Sequence, residues 1–92
     1  MPLSYAQRIR DKVEAQFAPC NLILEDDSQK HAGHAGADPA GETHFTLHIV
    51  SDKFKGMSRV QRHQLIYEVL EDELKERVHA LSITAKTFEE VK

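Results

Sequence analysis

The stretch that decides the fold is FKGMSRVQRHQLIYEVLEDELKERVHALSI, Phe54 to Ile83. It describes one long amphipathic helix, entered through a tight glycine turn and leaving directly into a strand that begins with a histidine. Gly56 can take a positive φ, and Ser58-Arg59-Val60-Gln61 has the S-x-x-Q form of a capping box, so the helix is expected to start at about Ser58. Val60, His63, Tyr67, Leu70 and Leu74 recur at three- and four-residue spacing, widened by Ile66 and Val69, which predicts one buried face with His63 inside it. Glu68, Glu71, Asp72, Glu73, Lys75 and Arg77 fall on the opposite face, where Glu71/Lys75 and Glu73/Arg77 form i,i+4 pairs expected in solvent. From Val78 the period becomes two: His79, Leu81, Ile83 and Ala85 share one side of a strand, Val78, Ala80, Ser82 and Thr84 the other.

Working outward, Ser4-Tyr5-Ala6-Gln7 is a second capping box, followed by Tyr5, Ile9, Val13 and Phe17 at four-residue intervals. A first helix from about Ser4 to Phe17 must end ahead of Pro19. Cys20 to Glu25 reads as a strand with Leu22 and Leu24 on one face, closed by Asp26-Asp27-Ser28. Gln29 to Gly41 holds three of the four glycines and no large apolar side chain, and is expected to be an exposed, mobile loop within a single domain of residues 1–92. Thr43 to Ser51 is the clearest strand, with Phe45, Leu47 and Ile49 alternating against His44, Thr46, His48 and Val50. Thr87-Phe88-Glu89-Glu90 is a third capping box that opens a short terminal helix. The order α-β-β-α-β-α predicts an α/β (α+β) domain with a three-stranded mixed sheet and its two main helices on one face.

At 92 residues a single core is adequate but not generous. No apolar run approaches the length of a membrane-spanning helix, and no membrane partner is expected. Met1-Pro2-Leu3-Ser4-Tyr5 lacks the basic and apolar regions of a secretory signal. The chain is therefore expected in the cytoplasm, or in mitochondria where a transit peptide has been removed. One cysteine, Cys20, allows no internal disulfide and reads as a partly buried small hydrophobe. A net charge of −3 disfavours a protein whose main task is holding phosphate backbone. Six histidines in so short a chain are the compositional oddity.

His31 and His34 lie three apart in the Gly-rich loop, where they are either solvated polar residues or ligands presented to a metal held elsewhere. His79, near the first residue of its strand, is either hydrogen-bonded to backbone or a ligand at the sheet's rim. His63 is assigned a structural role. His44 and His48 project together from one strand face as surface or contact residues. Ser28, Ser51, Ser58 and Ser82 are each explained by a turn, cap or strand, and no nucleophile elbow or phosphate-binding glycine pattern occurs, so no enzymatic activity is expected. Lys53, Lys55, Arg59 and Arg62 form a basic cluster around the turn into the central helix.

Phe54, Gly56, Arg62-His63, Val78-His79-Ala80-Leu81-Ser82-Ile83 and Glu42-Thr43-His44-Phe45 together resemble the BolA family, over roughly residues 4 to 90. The resemblance implies a class II KH-like fold. It also implies pairing with a monothiol glutaredoxin of the Cys-Gly-Phe-Ser type and a 2Fe-2S cluster shared at the interface, with glutathione supplying a thiolate on the partner's side. No cofactor is expected on the isolated chain, which would be a monomer or weak homodimer. The family's histidine at the start of the last strand corresponds to His79, and its loop ligand to His34, with His31 as the alternative. The family also includes transcriptional regulators, which implies DNA binding through Lys53, Lys55, Arg59 and Arg62 as the second possibility. Against it, the G-x-x-G loop of a KH module would fall on Gly56-Met57-Ser58-Arg59, where arginine replaces the second glycine and obstructs close approach of a sugar-phosphate backbone.

Overall fold

The computed structural model describes residues 4–27 and 43–91. Its elements are α1 (Tyr5–Phe17), β1 (Cys20–Asp26), β2 (His44–Ser51), a 3-10 turn (Asp52–Phe54), α2 (Arg59–Val69), α3 (Glu71–Glu76), β3 (Ala80–Lys86) and a terminal 3-10 turn (Glu89–Val91). The expected loop 29–41 lies outside the described residues.

The sheet order is β1-β2-β3. β1 pairs with β2 antiparallel, Leu22 opposite Ile49, and β2 with β3 parallel, Leu47 opposite Ile83. A parallel pair needs a crossover, and the α2–α3 segment supplies it. Leu24, Phe45, Leu47, Ile49 and Leu81 point from one sheet face into a core closed by Ile9, Val13 and Phe17 of α1 and by Ile66 and Leu70. The helices therefore cover one face, as expected. Ile23, Glu25, His48, Ser82 and Thr84 lie exposed on the other.

Local chemistry explains the ends of these elements. Ser58 Oγ accepts from Gln61 N at 3.1 Å while Gln61 Oε1 accepts from Ser58 N at 2.8 Å, a complete capping box. Gly56 has φ 78°, the positive value the turn requires. Thr87 and Glu90 reciprocate in the same way, at 3.3 and 2.7 Å. The first box is only half made: Ser4 Oγ accepts from Gln7 N, but the Gln7 side chain donates to Asp11 instead. Ser51, fully buried, donates its hydroxyl to the Phe17 carbonyl at 2.7 Å and so satisfies the end of α1. Phe17 and Phe54 pack beside that bond with ring centroids 4.9 Å apart.

The expected single long helix is in fact two, broken at Leu70 (φ −103°, ψ 20°). The buried stripe also differs from the expected one. Val60 is 64% exposed and Tyr67 41%, whereas Ile66, Leu70 and Glu73 form the inner line. Glu73 corrects the sequence reading most sharply. Its side chain is completely buried and pairs with Arg8 at 2.8 Å and Lys12 at 2.9 Å on α1 rather than with Arg77 in solvent. Arg8 also holds Glu76, whose carboxyl it lowers below the usual range, and Lys12 is raised by Glu73. A buried carboxylate must be paired, so this cluster fixes α3 against α1. The expected Glu71/Lys75 pair is present at 2.9 Å in solvent.

Arg62 closes the other end of the domain. It donates to the Met57 and Ala85 carbonyls, each at 3.0 Å, and pairs with Glu90 at 2.7 Å. Arg62 and the Thr87 backbone N–H together hold the Glu90 carboxyl down at about 2.

Two outcomes follow from these clusters. Glu73→Ala removes the buried carboxylate that joins α3 to Arg8 and Lys12 of α1 and should lower stability by roughly 2–4 kcal/mol in urea denaturation, while Glu71→Ala removes only a surface pair. Equal effects would contradict the assignment. For Glu90, a carboxyl lowered by folding adds stability that is present above about pH 4.5 and lost as pH falls toward about 2. The stability gap between wild type and Glu90→Gln should therefore be open at pH 7 and close across that window. A gap independent of pH would show that the ion pair contributes nothing.

Candidate functional site

Thr43, 1% exposed, organises the end of the sheet where His79 emerges. Its carbonyl accepts from His79 N at 2.8 Å and from Ala80 N at 3.2 Å, so the same oxygen receives the first bonds of β3. Its hydroxyl lies 2.9 Å from His44 Nδ1. Across the hairpin, Asp27 N donates to the His44 carbonyl at 2.7 Å. Asp27 and Thr43 bracket residues 28–42, the segment that carries His31 and His34. Those two histidines themselves lie outside the described residues.

His79 precedes β3 rather than beginning it, and the strand's alternation does not extend back to it. Val78 is buried at 1% while His79 is exposed. The imidazole therefore stands at the rim and not on the face of Leu81 and Ile83. Its ring centroid lies 6.5 Å from that of His44 in an edge-on arrangement. The parallel register, with His44 opposite Ala80, creates this approach. Strand alternation gave no sign of it, because it paired His44 with His48, which is exposed farther along β2. Among the described residues, no three His, Cys, Asp or Glu side chains converge to hold a metal ion. What this corner offers is an exposed imidazole beside a second one held by Thr43.

The expected basic cluster is divided. Arg62 is consumed by Met57, Ala85 and Glu90, and Lys55 lies 3.7 Å from Asp52. Lys53 and Arg59 form no ion pair among the described residues. His63 is half-buried and lines an open groove between α2 and β3, with no hydrogen-bond partner among the described residues. Cys20 is half-buried, and burial followed by the charge of Glu14 pushes its thiol up, away from a reactive thiolate. Among the described residues no helix is long and apolar enough to cross a membrane.

A family model described as BolA-like protein matches residues 13–90. The chain is 55% identical over 92 residues to the Arabidopsis thaliana "SufE-like protein 1, chloroplastic/mitochondrial", covering 96% of this chain and 25% of that protein. It is 40% identical over 90 residues to the "DNA-binding transcriptional regulator BolA" of Haemophilus influenzae, covering 98% of this chain and 84% of that one. Of two further relatives, from Arabidopsis and mouse, it spans 52% and 55% of the length. The solved BolA domain of SufE1 from Arabidopsis thaliana superposes with a TM-score of 0.85 at 54% identity, covering 98% of this chain and 99% of that domain.

Proposed function

The chain belongs to the BolA-like family, and within it we propose a non-enzymatic adaptor in iron-sulfur cluster trafficking and iron homeostasis. It docks a monothiol glutaredoxin and completes a shared 2Fe-2S cluster through His79 and the loop residue His34, with glutathione and the glutaredoxin cysteine on the other iron. The observation that carries this reading is the exposed His79 imidazole, anchored through its backbone to Thr43 and 6.5 Å from the ring of His44. Each tetrahedral iron of a 2Fe-2S cluster carries two bridging sulfides and needs two terminal ligands, and this corner brings imidazoles together without closing a metal site of its own among the described residues. Neutral imidazoles in place of thiolates raise a cluster's reduction potential and tie it to histidine protonation.

This chain's part is to hold the ligands. The backbone bond from His79 N to Thr43 O fixes where the imidazole leaves the fold, and Thr43 Oγ1 fixes His44 beside it. Two relatives are named as plastid or mitochondrial proteins, compatible with the mitochondrial option for this chain.

A second reading, a DNA-binding transcriptional regulator, is favoured by the name of the Haemophilus relative. It would rest on Lys53 and Arg59, since Arg62 is engaged in the fold and Lys55 sits near Asp52.

Anaerobic reconstitution of a monothiol glutaredoxin with glutathione, with and without this protein, tests the first reading by visible circular dichroism. A distinct spectrum for the mixed complex is expected, lost in His79→Ala and changed in His34→Ala. If His44→Ala rather than His34→Ala removes it, the loop ligand is misassigned while the shared cluster stands. An unaltered glutaredoxin spectrum and no co-elution would end the adaptor reading, and Arg59→Ala in a salt-dependent DNA-binding assay would then test the second.

A further inference from the structure

At the end of β3 opposite His79, α2 and β3 border an open groove of about 460 Å³. Arg59 and His63 line it from α2, Thr84 and Lys86 from β3, and Met57 and Ile83 give it apolar surface. Its volume falls within the range of small-molecule sites, roughly 300–1,000 Å³.

The charge balance inside it is uneven. Arg62 and Glu90 also border the groove but neutralise one another at 2.7 Å. Arg59 and Lys86 remain, both exposed and neither in an ion pair among the described residues. In a chain of net charge −3, two uncompensated cations on one groove are a local excess of positive charge. His63 adds a half-buried imidazole whose ring nitrogens are open to the groove and make no hydrogen bond among the described residues. Thr84 adds a hydroxyl. Two cations, an imidazole and a hydroxyl around an apolar patch match a compact dianion carried on a small flat body.

We propose that this groove binds a phosphomonoester of about mononucleotide size. The phosphate lies between Arg59 and Lys86, with His63 and Thr84 as hydrogen-bond partners and the organic body against Met57 and Ile83. A nucleic acid strand fits less well. The Glu90 carboxylate stands on the rim, and Arg59 occupies the place where close approach of a continuing backbone needs glycine. The site is independent of the metal-ligand corner, since Ala80 and Lys86 are opposite ends of β3.

The test is amide NMR titration of the full chain with adenosine 5′-monophosphate, adenosine, inorganic phosphate and a single-stranded oligonucleotide. Saturable shifts at Arg59, His63, Thr84 and Lys86 are expected with the monophosphate. Arg59→Ala and Lys86→Ala, both at exposed positions, should each weaken binding about tenfold, and adenosine should bind at least that much more weakly. His79→Ala should bind as wild type does. Absence of saturable shifts, or affinity unchanged in both groove variants, would overturn the proposal. So would inorganic phosphate binding as tightly as the monophosphate, which would leave no role for the organic body. Tighter binding of the oligonucleotide, lost in the same variants, would make the groove a nucleic-acid interface instead.

Discussion

The parallel pairing of β2 with β3 is the constraint on which the rest of the domain depends, and it begins at one carbonyl. Thr43 O receives both His79 N and Ala80 N, so the returning chain is captured at the moment it leaves α3. Because a parallel partner can be reached only by a crossover, that register obliges α2 and α3 to lie over the sheet and bury Ile66 and Leu70 against Phe45, Leu47 and Ile49. The same register sets His44 opposite Ala80 and brings its ring beside His79. Fold and candidate site are therefore consequences of a single alignment.

Charged residues divide between those the fold consumes and those it leaves available. Glu73 is drawn into the interior by Arg8 and Lys12, and Arg62 is held by two carbonyls and Glu90. These groups lock α3 to α1 and the terminal turn to α2, and their removal would act first on stability. Arg59, Lys86 and His79 belong to the other class: exposed, with no ion pair among the described residues, and located at opposite ends of β3. A net charge of −3 conceals this partition entirely.

Much of the architecture was legible in the sequence because it is governed by short-range rules. The four-residue spacing of Ile9, Val13 and Phe17, the alternation of Phe45, Leu47 and Ile49, and the reciprocal caps at Ser58/Gln61 and Thr87/Glu90 all appear where local chemistry places them. What escaped depends on residues far apart in the chain. Glu73 continues the Ile66–Leu70 stripe, but its burial makes sense only with Arg8 and Lys12, 65 and 61 positions away. A basic pair one helical turn apart beside the stripe of α1 was the signal available for it. Val60 and Tyr67 fit the period of a buried face yet lie beyond what the sheet covers. A rim position for His79 was one of two alternatives the sequence left open, and its separation from the face of Leu81 was not legible, because the strand's period starts one residue later. The meeting of His44 with His79 depends on strand register, which alternation alone leaves open.

The most direct test of the central claim is pulsed electron paramagnetic resonance on the reduced mixed complex, with this chain alone carrying ¹⁵N-labelled histidine. A strong ¹⁵N hyperfine coupling that disappears in His79→Ala is expected if the His79 imidazole binds iron. Only the weak couplings of neighbouring backbone nitrogens, unchanged in that variant, would contradict it.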